Sequence, residues 1–275
     1  MNHQQTTPNL ASTPQTFPQL LLARASQYGE RKVALREKEF GIWQATTWAQ
    51  YARHVKYFCL GLLSLGMQPR DVVAIVGDNR PEWLFAELAA QAVGGFSIGI
   101  YQDAIVEEMA YVIAFAETRF VVVEDQEQVD KVLEVREALP FLRKIIVIDM
   151  KGLRRGTDPM IVSFEEVERI GGRIEAADPE RYWRTVDQVR PEDVAIMVYT
   201  SGTTGPPKGA MLSHRALLAK SGEAAYKDVP LASCRVHRGE SDWLVVRGRG
   251  TLEAGDSVSL DVSLVPDEIG ATLSE

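Results

Sequence analysis

The sequence predicts an α/β fold, a mostly parallel sheet flanked by helices in a doubly wound arrangement. Three observations carry this. Short apolar runs rich in Val and Ile stand at residues 72–76, 119–124, 144–149 and 194–198. Stretches of helical period separate them, and strands that alternate with helices pair in parallel. A run of Gly, Ser and Thr then follows the last apolar stretch, at the carboxyl end of a strand, where open α/β sheets bind ligands.

In chain order, Phe17 to Tyr28 places Leu20, Leu21, Ala23 and Ala25 with the spacing of a short helix, and a strand is expected over Lys32 to Arg36. Thr47 stands as the N-cap of a long amphipathic helix. Its apolar stripe runs Trp48, Tyr51, Ala52, Val55, Phe58, Cys59, Leu62 and Leu63, and Gly66 stops it. Cys59 lies in that stripe and reads as core; His54 lies on the opposite face. Val72 to Val76 is a buried strand, and the turn after it enters a helix with Asp78 or Asn79 near its start and Pro81 in its first turn. Next come Gly94 to Ile100, a helix from Glu107 to Ala116, the strand Arg119 to Glu124 and a charged helix from Gln126 to Leu139. The strand Lys144 to Asp149 and a helix around Phe164 to Ile170 follow. Between Gly171 and Pro191 the chain turns polar, with breakers at Asp178-Pro179 and Arg190-Pro191, and reads as a surface connection to the strand Val194 to Val198.

Composition narrows the function classes. The chain has 275 residues, 45% hydrophobic and 25% charged, which is globular and not disordered. A net charge of -8 gives no basic surface for nucleic acid. Two cysteines, Cys59 and Cys234, make no disulfide framework, so a reducing, cytoplasmic setting is expected. Residues 1–15 form a polar leader without the charged start and apolar centre of a signal peptide, and no apolar run has the length of a membrane span. Peripheral contact with a membrane stays open. No set of His, Cys, Asp and Glu has metal-ligand spacing, and no Ser/His/Asp set is readable.

The run Tyr199-Thr-Ser-Gly-Thr-Thr-Gly-Pro-Pro-Lys-Gly209 has the chemistry of a polyphosphate loop. Gly202, Gly205 and Gly209 let the backbone bring N–H groups close to an anion. Thr200, Ser201, Thr203 and Thr204 add hydroxyls, any of which could face a phosphate-bound Mg²⁺. Pro206 and Pro207 stiffen the exit, Lys208 supplies a point charge, and Ser213 can cap a following helix. His214 could reach the site or be a solvated helix-start histidine. Such runs are commonly surface loops or linkers, but this one follows a buried strand and ends in a fixed cation. It is no Walker loop, since Gly209 stands where Ser or Thr would be needed.

That run closely resembles the phosphate-binding signature of the adenylate-forming (AMP-binding) superfamily. Gly41-Ile-Trp-Gln44, Gly77-Asp-Asn-Arg-Pro-Glu-Trp83, Tyr101-Gln-Asp103, Glu124-Asp-Gln-Glu-Gln-Val-Asp130 and Ser163-Phe-Glu-Glu-Val167 resemble a bacterial branch of its long-chain fatty acyl-CoA synthetases. The first of these motifs is read as shaping packing. The resemblance implies part of the N-terminal AMP-binding domain over residues 16–228, a fatty acid substrate, and ATP, Mg²⁺ and coenzyme A as cofactors. It implies phosphate-binding positions at Tyr199, Thr200, Ser201, Gly202, Thr203, Thr204, Gly205, Lys208 and Gly209, with Thr200 and Thr204 as the metal candidates; no catalytic residue is assigned.

Several family motifs have no match. A later Tyr-Gly-x-Thr-Glu for adenine and Mg²⁺, a Thr-Gly-Asp for ribose, the hinge and a C-terminal domain with its adenylating lysine are not found in these residues. The sequence is therefore expected to be truncated relative to the family and inactive alone, with a separately encoded C-terminal half as one remedy. Residues 229–275 form an atypical tail: Ser233 to Leu244 has neither helical nor alternating period, and Thr251 to Val265 alternates weakly. Read in a shifted frame with permissible codons, Ser233 to Leu244 resembles family sequence, so a frameshift is expected there. Three functions follow: a piece of an acyl-CoA synthetase or another acid-activating ligase, a non-catalytic nucleotide-binding protein, or the non-functional product of a broken frame.

Overall fold

The structure is a computed structural model that describes residues 13–39, 41–153, 158–200, 208–221, 234–238 and 242–246. Helix α1 (Phe17–Tyr28) is capped by Thr16, whose side chain accepts the Gln19 N–H. Strands β1 (Val33–Glu39) and β2 (Ile42–Thr47) form an antiparallel hairpin of their own. Pairing with β2 extends β1 beyond the expected end at Arg36; β2 itself carries exposed Ile42 and Trp43, so no buried period marked it in the sequence.

Helix α2 (Trp48–Ser64) opens with the capping box: Thr47 Oγ1 accepts the Gln50 N–H at 3.2 Å and Gln50 Oε1 accepts the Thr47 N–H at 2.8 Å. Gly66, at φ +91°, takes the chain out of the helix.

The main sheet continues with β3 (Val72–Val76), β4 (Phe96–Ile100), β5 (Phe120–Val123), β6 (Lys144–Val147), β7 (Ile161–Ser163), β8 (Val194–Thr200), β9 (Lys208–Ser213), β10 (Cys234–Arg238) and β11 (Asp242–Val246). Among the described residues the order is β11-β10-β9-β8-β4-β3-β5-β6-β7. The pairs from β8 through β4, β3, β5 and β6 to β7 are parallel; β8–β9, β9–β10 and β10–β11 are antiparallel.

Each buried strand sends alternate side chains to two cores. Val73, Ile75, Phe120, Val122 and Ile146 face α1, α2, α3 (Pro81–Val93), α6 (Phe164–Ala177) and α7 (Arg181–Asp187). Val72, Ala74, Val121, Val123 and Ile145 face α4 (Val106–Phe115) and α5 (Gln126–Glu134). Wrapping both faces in this way is what a parallel sheet requires.

Three expectations need correction. Residues 171–191 are not a surface connection: α6 runs on to Ala177, and α7 buries Tyr182 and Val186 against the first core. Their charged outer faces interrupt the apolar positions that reach this core, Ile174, Tyr182, Trp183 and Val186, so no period registers. Helix α5 stops at Glu134, and a 3-10 turn over Arg136–Ala138 brings Leu139 into the second core instead of prolonging the helix. The helix after β3 begins at Pro81 with Asp78 and Asn79 just before its start, as expected, and the Asp78 N–H donates to Glu124 Oε2 at 2.8 Å, which holds that turn to the end of β5. Ser233 to Leu244, without readable period, includes β10 and the start of β11, which take their register from β9 across the sheet.

Candidate functional site

The two ends of the signature run close β8 and open β9. Strand β8 lies beside β4 in parallel, so its carboxyl end shares an edge with those of β3, β4, β5 and β6. Tyr199 and Thr200 close β8, and Lys208 and Gly209 open β9 as their cross-strand partners, Thr200 opposite Lys208 and Tyr199 opposite Gly209. Opposed residues in such a ladder lie about 5 Å apart, so the chain between them leaves and re-enters one narrow point of the sheet edge. Ser201, Gly202, Thr203, Thr204 and Gly205 lie outside the described residues, as do Pro206 and Pro207.

The two glycine and tyrosine positions have a steric role in this hairpin. A Cβ on Gly209 would stand 2.8 Å from Met197 Sδ and 3.3 Å from Tyr199 Cζ. Gly209 is buried, and its missing side chain is the space the Met197 and Tyr199 side chains occupy. Tyr199 packs on the α4 side, edge-on to Phe115 with ring centroids 6.1 Å apart. Burial pushes its phenol well above the usual range, with the neighbouring Tyr111 adding to the rise, and its buried Oη has no hydrogen-bond partner among the described residues. The aromatic pair Tyr111 and Phe115 was not singled out from the sequence; its four-residue spacing on one helix face was the available signal.

Lys208 is exposed and makes no ion pair among the described residues, and its ammonium is the cation the hairpin offers an anion. Thr200 ends β8 beside it. These are the described members of the set that could hold a phosphate group; Thr204, the second metal candidate, is outside the described residues. No group of three or more His, Cys, Asp and Glu that could hold a metal is found among the described residues.

Beyond the hairpin, Ser213 caps α8 (His214–Ser221) by accepting the Ala216 N–H at 3.2 Å. His214 is neither at the phosphate turn nor solvated. It is fully buried at the far end of β9, where Nδ1 accepts the Phe17 N–H at 3.3 Å and the ring lies 5.8 Å from that of Phe17. Burial lowers its pKa to about 4. His54, off the apolar stripe, stays part-exposed, stacking on Phe85 at 4.6 Å and meeting Glu168 at 2.7 Å. Cys59 is core, as expected, with its thiol pushed far up by burial.

A groove of about 790 Å³ opens on the same edge of the sheet, between the β1–β2 hairpin and the turn after β3. Arg80 spans it, within 3.7 Å of Glu37, 3.6 Å of Glu82 and 3.4 Å of Glu124. Three carboxylates around one guanidinium make this a strut between hairpin and sheet and leave no positive charge of Arg80 over for an anionic ligand.

Comparison with known proteins gives a consistent picture. A family model described as AMP-binding enzyme matches residues 21–237. The long-chain-fatty-acid–CoA ligase ACSBG2 of Xenopus laevis is 33% identical over 201 residues, which is 73% of this chain and 26% of that protein. The long-chain-fatty-acid–CoA ligase heimdall of Drosophila melanogaster is 30% identical over 224 residues, 78% of this chain and 32% of its own. This chain thus spans about a quarter to a third of the length of the curated relatives it matches. Among solved structures, the anthranilate CoA ligase AuaEII in complex with anthranoyl-AMP superposes with TM-score 0.62 at 23% identity, over 77% of this chain and 38% of that one. The acetoacetyl-CoA synthetase from Streptomyces lividans gives 0.60 at 23% identity, over 74% and 31%.

Proposed function

Because the chain belongs to the AMP-binding enzyme family, we propose that it carries the phosphate-binding part of an ATP-dependent long-chain fatty acid–CoA ligase. The observation that carries this reading is the β8–β9 hairpin, which brackets the signature run between Thr200 and Lys208 at the carboxyl edge of the parallel sheet.

In the proposed reaction a carboxylate oxygen of the fatty acid attacks the α-phosphorus of ATP, the bond to the β-phosphate oxygen breaks, and pyrophosphate leaves. The thiol of coenzyme A then displaces AMP from the acyl-adenylate. Lys208 and the hydroxyls and N–H groups of residues 200–205 are assigned to the charge on the leaving pyrophosphate, which is positioning and electrostatics more than covalent catalysis. Mg²⁺, when bound, neutralises part of that charge, and Thr200 and Thr204 are the residues we assign to it. Tyr199 and Gly209 we assign to holding the hairpin shape, since their atoms fill one another's space.

Adenine, ribose and thiol recognition are not assigned to any of these 275 residues. We therefore propose that this chain alone binds phosphate without turning over, and that the remaining groups act from sequence beyond it, in a cytoplasmic setting. Among the described residues no helix is long and apolar enough to cross a membrane.

Calorimetric titration with pyrophosphate and Mg²⁺ tests the site. Loss of a charge-assisted contact is worth roughly 1.5–3 kcal/mol, so Lys208→Ala should weaken binding by about tenfold or more. Binding of equal strength in both proteins would remove Lys208 from the site, and with it the reading of the hairpin as a phosphate cradle.

A further inference from the structure

Tyr101, Gln102 and Asp103 follow β4 at the carboxyl edge of the sheet, and β4 is the strand beside β8. The two strands run parallel, with Ser97 opposite Ile196 and Ile98 opposite Met197. Carried on to the strand ends, that register brings the backbone of Tyr101 level with Thr200. On the other side of β8, Thr200 is opposite Lys208. Tyr101 and Lys208 therefore flank Thr200, each one strand spacing away, about 4.8 Å.

The backbone at Tyr101 is held and its side chain is left in solvent. Gln102 O accepts from Gln128 Nε2 at 3.1 Å and from Lys131 Nζ at 3.0 Å, both on α5. The Ala104 N–H closes a turn on Tyr101 O at 3.1 Å. The Tyr101 side chain is 84% exposed and makes no ring contact or hydrogen bond among the described residues. A fixed turn that presents an unpacked aromatic donor suits contact with a ligand, because α5 orders it before any ligand arrives.

We propose that Tyr101 is a further binding residue of the phosphate site, its phenol O–H donating to an oxygen of a polyphosphate seated against Thr200 and Lys208. The phenol is a neutral donor on a long rigid arm, and its bond to an anionic oxygen is of the strong, charge-assisted kind. The inference rests on the proposed function, since it needs the end of β8 to take a phosphate.

The test is calorimetric titration of the full chain with Mg²⁺ and pyrophosphate, a ligand with no base or acyl group for a ring to pack on. Tyr101→Phe removes only the hydroxyl and should weaken binding roughly tenfold. Tyr101→Ala should weaken it to the same extent, and Ile105→Ser, at a residue 58% exposed in the same connection, should leave it unchanged. Thermal melts followed by circular dichroism check that the variants fold. Equal binding by the native protein and Tyr101→Phe, with Lys208→Ala still weakening it, overturns the proposal and leaves the phosphate reading in place. So does weakening by Tyr101→Ala without weakening by Tyr101→Phe, which would make the ring a packing group. No binding of pyrophosphate, or binding indifferent to both Lys208→Ala and Tyr101→Phe, removes the phosphate reading and this proposal together.

Discussion

His214 shows how one buried residue ties pH to stability. For Nδ1 to accept the Phe17 N–H, the ring must be neutral with its proton on Nε2, and Nε2 is buried with no partner among the described residues. Its pKa is lowered from 6.5 to about 4, so the unfolded chain binds the proton more readily than the folded one. Stability from this residue is therefore intact above pH ~6.5 and falls as pH drops toward ~4, by roughly 3 kcal/mol in all. Denaturant unfolding at pH 7 and pH 4.5 should show that loss in the native protein, and His214→Gln, which can still accept from Phe17 but does not titrate, should lack its share. An equal pH dependence in both proteins would mean that His214 is not the group responsible.

At the level of elements, the contact that organises the first core is the crossing of α2 and α6, and it is made by glycines. A Cβ on Gly171 would lie 1.8 Å from the Tyr57 carbonyl oxygen and 3.0 Å from the Gly61 nitrogen. One on Gly61 would lie 2.2 Å from the Val167 carbonyl oxygen. These are backbone atoms, so a side chain can enter only if the helices part, and the whole core between them would loosen. Gly171→Ala should therefore cost about 3 kcal/mol or more in chemical denaturation. Gly172→Ala is the internal control: its Cβ would meet nothing closer than the Tyr57 ring at 3.8 Å, and alanine should gain up to ~1 kcal/mol from helix propensity. If both variants lose stability equally, helix separation is not the cause.

For the whole molecule, the consequence of the proposed function is that turnover depends on groups supplied from outside these residues. Single well-placed electrostatic groups are typically worth ~10²–10³ in rate, and several act together in adenylation. We expect no palmitate-dependent pyrophosphate release from the chain alone. Adding a separately expressed polypeptide that carries the adenine, ribose and lysine motifs of the family should restore it, and Lys208→Ala should abolish the restored activity. Turnover by the chain alone would show that it holds a complete site; nucleotide binding with no activity in the mixture would favour a non-catalytic role.

Much of this architecture was legible before any coordinates. Val72–Val76 and Val194–Val198 are apolar throughout, Thr47 marks the start of α2, and the run from Tyr199 to Gly209 marks its own chemistry, because each depends on neighbours in sequence. What depends on distant residues was not. Strand β9 was read as loop exit and helix start because six residues opened by Lys208 gain strand character only when paired with β8. Helix α7 is polar except where it touches the first core, and His214 looks solvated until Phe17, 197 residues away, covers it. Gly209 was assigned to anion approach; that its missing side chain also makes room for Met197 and Tyr199 could not be read from the sequence. Local periodicity and capping determine which segments become helix or strand; burial, register and the steric role of a missing side chain exist only once the second surface is in place.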